Sequence, residues 1–273
     1  MNILTVSKLR KEFNGEVLFD NISFDVNTKD KIAIIGKNGT GKSTLLKMIQ
    51  QEISIDAGDV FLNNKATIGY LSQDVIDSES NSLEEEMLSV FKDVLYYEAK
   101  LKEIALELEQ FPEDEERIHR YSQIQHQYDV MGGYEYHVLI KTILTQFGFK
   151  EEEYDRKITT FSGGEKTRIA FSKLLLQNPD LLILDEPTNH LDIDIIDWLE
   201  DYLNKYNGAI LIVTHDKYFI SKVCRKIIEI DHQTGHIYYG TFDAYQDEKI
   251  KRYELMLKQY NRQQKEIAHL QSF

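Results

Sequence analysis

The strongest constraint on this chain is a glycine-rich segment, Gly36-Lys37-Asn38-Gly39-Thr40-Gly41-Lys42-Ser43, whose spacing is G-x-x-x-x-G-K-[ST]. It follows Lys31-Ile32-Ala33-Ile34-Ile35, a short apolar run that predicts a buried strand, and it precedes a pattern typical of a helix. Glycines allow the backbone to curl so that successive N–H groups point at phosphate oxygens, and the N-terminus of the following helix adds a favourable dipole. The segment therefore predicts a phosphate-binding loop between a strand and a helix.

Two side chains of this loop carry specific chemistry. Lys42 is expected to reach the β- and γ-phosphates of a nucleotide, and the hydroxyl of Ser43 is expected to bind Mg²⁺. We therefore predict a nucleotide and Mg²⁺ as ligands. The predicted nucleotide contacts within the loop are Gly36, Lys37, Asn38, Gly39, Thr40, Gly41, Lys42, Ser43 and Thr44.

The residues before the loop have a different pattern from those after it. Residues 2–26 alternate apolar and polar and are interrupted by Asn14-Gly15, which predicts short antiparallel strands joined by a tight turn. Residues 83–146 are predicted to be mostly helical. After residue 165, predicted helices alternate with two apolar strands, at 181–184 and 209–213.

This order of elements predicts the fold class. Strands that alternate with helices favour a parallel sheet with helices on its faces. We expect an α/β fold of the P-loop NTPase type, with a parallel-sheet core, an N-terminal antiparallel β subdomain and a helical subdomain at about residues 83–160.

Two further motifs carry chemistry. Asp185 and Glu186 follow the strand 181–184 and would lie at the carboxyl end of the sheet, where ligands of open α/β folds bind. Asp185 is expected to hold the metal, directly or through water, and Glu186 is expected to polarise an attacking water as general base. The turn Ser162-Gly163-Gly164 precedes a predicted helix. Alone it could be a plain helix N-cap. With the other motifs it offers a second anion site, made of a hydroxyl, N–H groups and a helix dipole.

Composition excludes several classes of protein. The chain has 32 Lys and Arg against 46 Asp and Glu, and the net charge of −14 excludes a uniformly basic nucleic-acid-binding protein. Its one cysteine, Cys224, cannot form an internal disulfide and is expected to be a small buried hydrophobe. Because we find neither an apolar run of about 18 residues nor a secretory signal, we expect a cytoplasmic protein with no membrane span.

The segment from about Tyr245 to Phe273 differs from the rest of the chain. Residues 249–273 contain six basic and two acidic residues, and Glu248 is expected to pair with Arg252 one helical turn later. A heptad-like apolar stripe is formed by Ile250, Tyr253, Leu257, Tyr260 and Ile267. We expect residues 1–245 to form one domain and residues 246–273 to begin a basic helical linker that is truncated within a long helix.

The order of these motifs resembles that of ATP-binding-cassette (ABC) ATPases. A P-loop, a Ser-Gly-Gly turn, an Asp-Glu pair after a strand and His215 after a further strand follow one another as in that family, over about residues 1–245. The segments Asp185-Glu186-Pro187-Thr188-Asn189-His190-Leu191-Asp192 and Gly240-Thr241-Phe242-Asp243-Ala244-Tyr245 are similar to segments of the ABC-F group of soluble proteins. The resemblance implies ATP as the nucleotide, together with the first of two ABC domains and the opening turns of an interdomain linker.

The resemblance also implies further site residues. Gln73 would bind both the nucleotide and Mg²⁺, and Asp192 would contact the opposing domain. His215 would contact the γ-phosphate region and orient the attack. Together with Lys42 and Glu186, His215 would make up the catalytic set.

An aromatic residue that stacks on adenine is implied some thirty residues before the P-loop lysine. Phe13 matches this position best, and Phe19 competes with it. Because stacking accepts either purine, the sequence leaves the choice between ATP and GTP open.

The family arrangement implies that ATP lies between two domains that face each other head to tail. The P-loop of one domain would bind ATP, and the Ser-Gly-Gly turn of the other would cap it. The implied partner is a second ABC domain of the same full-length chain, or a second copy of this one. ABC-F proteins act on the ribosome near the tRNA exit site, so the ribosome and tRNA are implied partners, in translation or in antibiotic resistance.

Three alternative functions are weighed against this one. The ATPase subunit of an ABC membrane transporter would have no use for the basic helix at 249–273. A chromosome-maintenance module would need long coiled coils between Gln73 and Ser162, and this segment is too short for them. A protein that senses ATP without hydrolysis would have no need of Glu186 and His215.

Overall fold

The computed structural model describes residues 1–71, 81–189 and 191–271 of the 273-residue chain. The strands are β1 (Asn2–Phe13), β2 (Glu16–Asn27), β3 (Lys31–Gly36), β4 (Ala57–Leu62), β5 (Ile68–Leu71), β6 (Leu181–Asp185), β7 (Ala209–Val213), β8 (Lys226–Asp231) and β9 (Thr234–Tyr239). The helices are α1 (Lys42–Ile49), α2 (Leu83–Leu88), α3 (Lys92–Gln110), α4 (Glu115–Val130), α5 (Tyr136–Gln146), α6 (Gly163–Gln177), α7 (Ile193–Lys205), α8 (Lys217–Val223) and α9 (Phe242–Gln271). Within these ranges no helix is both long enough and apolar enough to cross a bilayer.

The chain divides into two compact units. The first unit comprises Met1–Tyr70, Pro179–Asn189 and Ile196–Phe273, and the second comprises Leu71–Asn178 and His190–Ile195. The second unit is helical over most of its described length and includes α6, so it extends beyond the residues 83–160 expected for a helical subdomain.

Two sheets organise the strands. A three-stranded sheet has the order β2-β1-β4, and β1 pairs antiparallel with both neighbours. A six-stranded sheet has the order β5-β6-β7-β3-β8-β9, in which β6, β7, β3 and β8 are mutually parallel and β9 returns antiparallel to β8. The predicted α/β class, with a parallel core and an N-terminal antiparallel sheet, is therefore confirmed.

Burial explains why the central strands read as continuous apolar runs. All five residues of β7 and the first four of β6 are buried, as is typical of parallel strands that are covered on both faces. In β2, by contrast, Phe19, Ile22, Phe24 and Val26 are buried while the residues between them are mostly exposed. These side chains share one core with β3, β6 and β7, and this core supports the loop that follows β3.

The first twelve residues of α9 and the β8–β9 hairpin are joined by a buried carboxylate. Glu229 on β8 is 3% exposed and accepts hydrogen bonds from the hydroxyls of Tyr245 at 2.9 Å and Tyr238 at 3.3 Å. The ammonium of Lys249 and the guanidinium of Arg252 also bind this carboxylate. Burial lowers the pKa of Lys249, but its hydrogen bonds to Glu229 and Tyr245 outweigh burial and raise that pKa to about 12.

We expect Glu229→Ala to lower the free energy of unfolding by about 3 kcal/mol, because it removes the shared acceptor of four donors. Urea denaturation followed by circular dichroism measures this change. Glu248→Ala, at an exposed position of the same region, is the matched control and should cost less than about 0.5 kcal/mol. A loss below about 1 kcal/mol for Glu229→Ala would contradict the anchoring role of the cluster.

The apolar stripe of α9 is exposed in the structure. Its members Ile250, Tyr253, Leu257, Tyr260 and Ile267 are between 46% and 68% exposed. The heptad-like spacing predicted from the sequence is thus present on a helix, and within the described residues these side chains do not join the core.

Candidate nucleotide site

The glycine-rich loop lies between β3 and α1, as predicted. Gly39 and Gly41 have φ values of +84° and +93°, a region that favours glycine. A Cβ at Gly41 would lie 2.6 Å from the side chain of Leu18, and one at Gly36 would lie 2.6 Å from the carbonyl oxygen of Ile230. Gly41 is also the N-cap residue of α1, and no side chain caps that helix, so the first N–H groups of α1 are available to an anion.

Lys42 is held within the loop. Its side chain is almost fully buried, and Nζ donates to the carbonyl oxygens of Gly36 at 2.9 Å and Lys37 at 3.1 Å. Burial lowers the pKa of Lys42, while the nearby carboxylates of Glu186 and Asp185 act in the opposite direction. The ammonium therefore lies in the field of the two residues that the sequence placed at the same edge of the sheet.

The predicted metal ligands are oxygen donors. Ser43 is exposed in the first turn of α1, and Asp185 is the half-buried last residue of β6. Gln73, the third predicted ligand, lies outside the described residues. Among the residues that the structure does describe, no group of three or more His, Cys, Asp or Glu could hold a metal ion alone. A hydroxyl and a carboxylate fit Mg²⁺ that takes its remaining ligands from phosphates and water.

Glu186 is fixed by the end of β7. It has a φ of +50°, an uncommon value for a residue other than glycine, and its N–H donates to the carbonyl oxygen of Val213 at 2.7 Å. Its Oε2 accepts from the hydroxyl of Thr214 at 3.1 Å and from the N–H of His215 at 3.4 Å. The His215 Nε2 lies 3.6 Å from Oε1. The structure thus brings together Glu186 and His215, two of the three predicted catalytic residues.

A cavity of about 490 Å³ lies beside Thr214 and His215, the residues that bind Glu186. The residues that line it include Thr214, His215, Lys217, Phe242, Tyr245 and Lys249. One wall therefore comes from the segment after β7, and the other wall comes from the beginning of α9.

Ser162, Gly163 and Gly164 begin α6 in the second unit. The Ser162 hydroxyl accepts from the Glu165 N–H at 3.4 Å, and the Glu165 carboxylate accepts from the Ser162 N–H at 2.7 Å. These hydrogen bonds to Ser162 also lower the pKa of Glu165. All three predicted residues are exposed, and a Cβ on either glycine would meet nothing within 4 Å. The sequence allows a helix N-cap at this turn, and the S-x-x-E spacing is the signal for its reciprocal form.

The structure separates the two aromatic candidates for base stacking. Phe19 is completely buried beneath the loop, whereas Phe13 is 47% exposed at the end of β1. Lys11 Nζ lies 5.2 Å from the centroid of the Phe13 ring. Asp192 is exposed in the second unit, where its carbonyl oxygen accepts from the Ile195 N–H at 3.0 Å.

Comparison with known families identifies the domain. A family model described as ABC transporter matches residues 19–189, and a second model with the same description matches residues 228–273. The chain belongs to the ABC family. ABC domains of this family bind ATP with Mg²⁺ and hydrolyse it, so the chain is an ABC ATPase domain.

Relatives of the ABC-F type match nearly the whole chain. The Bacillus subtilis protein YdiF is 42% identical over 100% of this chain and 43% of its own length. ABC transporter F family member 2 of Arabidopsis thaliana is 32% identical over 96% of the chain and 39% of its own length. Energy-dependent translational throttle protein EttA of Mycobacterium tuberculosis is 33% identical over 92% of the chain and 44% of its own length. The chain thus spans about two fifths of the length of these relatives.

Solved structures support the ABC fold. The ATP-binding subunit of an ABC transporter aligns with a TM-score of 0.65 and 20% identity, over 87% of this chain and 90% of that one. A nucleotide-free ATP-binding cassette from an ABC transporter aligns with a TM-score of 0.58 and 20% identity, over 90% and 94% of the two chains. At this identity the likeness concerns the fold alone.

Proposed function

We propose that this chain is the ATP-binding and ATP-hydrolysing module of an ABC-F protein that acts on the ribosome. The observation that carries the catalytic part is the position of Glu186, whose carboxylate is held by Thr214 and His215 within the field of the P-loop lysine. The similarity to a translational throttle protein over 92% of the chain supports the role in translation. On this proposal the protein works in the cytoplasm, with the ribosome and bound tRNA as partners.

Different residues of the chain bind the phosphates, hold Mg²⁺ and activate the attacking water. The amides from Gly36 to Thr44 and the ammonium of Lys42 bind the phosphates, while Ser43, Gln73 and Asp185 hold Mg²⁺. When bound, Mg²⁺ neutralises charge on the β- and γ-phosphates.

Glu186 accepts a proton from the attacking water, and His215 orients the attack. The exposed ring of Phe13 stacks on the base. Asp192 contacts the opposing domain from its exposed position.

ATP is held between two ABC domains on this proposal. The exposed Ser162-Gly163-Gly164 turn caps the nucleotide of the opposing domain, and donors from both sides contact the γ-phosphate. Because ADP lacks this phosphate, the closed pair is tight with ATP and loose with ADP. The opposing domain is a second ABC domain of a longer chain, since the relatives are more than twice as long, or a second copy of this one.

Co-sedimentation with ribosomes tests the proposal. We expect the full-length protein that carries Glu186→Gln to sediment with ribosomes in ATP, and at least about fivefold less without nucleotide, because ATP holds the closed state. The same protein carrying Lys42→Ala as well is the control and should lose the ATP effect. Absence from the ribosomal fraction with and without ATP would favour the alternative, the ATPase subunit of a membrane transporter.

A further inference from the structure

We propose that Thr214 is a positioning residue that sets the catalytic carboxylate of Glu186 through its side-chain hydroxyl. This inference rests on the proposed role of Glu186 as general base. Thr214 is 1% exposed and follows the last residue of β7, so its side chain is almost completely buried. The residue would act on the nucleotide only through Glu186.

The hydroxyl of Thr214 has one proton, and the hydrogen bonds around it determine where that proton points. The N–H of Asp216 donates to Thr214 Oγ1 at 3.2 Å and therefore occupies one of its lone pairs. Glu186 Oε2 lies 3.1 Å from the same oxygen and can only accept when ionised. The hydroxyl proton is thus directed at Glu186.

The N–H of Asp216, which donates to Thr214, is held in place by α8. Asp216 caps α8, and its carboxylate accepts from the N–H groups of Tyr218 at 2.9 Å and Phe219 at 3.0 Å. Phe219 is completely buried, which ties this cap to the core. The hydroxyl of Thr214 therefore belongs to a chain of hydrogen bonds that runs from a packed helix to the carboxylate.

Glu186 needs such a support because its backbone is unusual. A φ of +50° is unfavourable for a residue other than glycine, and this conformation persists only when its surroundings impose it. The backbone contact to Val213 at 2.7 Å fixes the main chain. The contact to Thr214 fixes the side chain, so adjacent residues at the end of β7 hold the two parts of Glu186 separately.

The other contacts of the carboxylate are weaker. The N–H of His215 lies 3.4 Å from Oε2, and the ring Nε2 lies 3.6 Å from Oε1 on a side chain that is 57% exposed. Removal of the Thr214 hydroxyl would therefore leave Glu186 without its shortest side-chain hydrogen bond among those the structure describes. We expect the carboxylate to move, and misplacement of a catalytic group lowers the rate rather than the affinity for substrate.

The test compares Thr214→Val with Thr214→Ser in the full-length protein, whose other nucleotide site is silenced at its P-loop lysine. We expect Thr214→Val to lower kcat about tenfold with KM and the affinity for a fluorescent ATP analogue within about twofold. Thr214→Ser should restore kcat to within about threefold, because it retains the hydroxyl. Thr234→Val is the matched control, since Thr234 donates to a main-chain carbonyl on the exposed β8–β9 turn, and it should leave kcat unchanged.

A double variant separates positioning from general loss of structure. If Thr214 acts only through Glu186, Thr214→Val should not lower the residual rate of Glu186→Gln any further. Equal loss of kcat in the serine and valine variants, or an unchanged kcat in Thr214→Val, would overturn the proposal. Undiminished turnover in Glu186→Gln would instead overturn the role of Glu186, and the role of Thr214 with it.

Discussion

Glu186→Gln is expected to lower the ATPase rate by at least about 100-fold while ATP binding is retained. Glutamine has nearly the same shape as glutamate and can still accept from Thr214 and His215, so the loop should keep its conformation. It cannot take a proton from water, because its amide has no basic site at neutral pH. Phosphate release measures the rate, and a fluorescent ATP analogue measures binding.

The same variant should accumulate as the closed pair. Size-exclusion chromatography in ATP is expected to show an earlier-eluting species that disappears in ADP. Glu248→Gln makes the same chemical change at an exposed residue of α9 and should leave the rate unaltered. If Glu186→Gln turns over ATP at the normal rate, another residue must be the base.

Mixing two inactive variants should restore activity. Gly163→Asp places a negative charge on the exposed turn at the start of α6, where an added Cβ meets nothing within 4 Å, so this variant should fold. In the closed pair that charge would face the γ-phosphate of the opposing site, and we expect the rate to fall at least about 100-fold. Glu186→Gln is inactive for the separate reason given above.

A pair with one chain of each kind contains one intact composite site, formed by the Glu186 of the first chain and the Gly163 of the second. An equimolar mixture should therefore recover roughly a quarter of the unmodified rate, from random pairing. The unmodified chain should also show a rate per molecule that rises with protein concentration, because pairing is required. The neutral variant Gly163→Asn separates charge from size and should lose less activity. A mixture no more active than its components would argue for a site contained within one chain.

The sequence predicts the residues that carry the chemistry, but it does not predict the residues that position them. The P-loop and the Asp185-Glu186 pair are predictable from the sequence because their chemistry depends on residue type and local spacing. Thr214 is not predictable in this way, since a threonine after a strand has no distinguishing signal until its distance to Glu186 is known. The expected partner of Arg252 was Glu248, whereas the structure pairs Arg252 with Glu229 on β8. The i,i+4 spacing of residues within a helix does not show which strand packs beside that helix.

Strand lengths and the β8–β9 turn are also not predictable from local sequence patterns. The sequence predicts short N-terminal strands, but β1 and β2 each run for twelve residues with irregular register. Positive φ values at Lys8 and Asn21 accommodate these irregularities. The β8–β9 hairpin was not predicted because its turn places His232 and Gln233 at positive φ, where glycine or asparagine would have given the usual signal.

The buried Cys224 makes the domain well suited to spectroscopic labelling. It is the chain's one cysteine and is 1% exposed, and burial raises the pKa of its thiol to about 12. Maleimide dyes react with thiolates, so the native residue should stay unlabelled in the folded protein. A cysteine introduced at an exposed position outside the nucleotide site, such as Glu248, would then carry the dye alone, and energy transfer between two labelled copies could follow their approach and separation in real time.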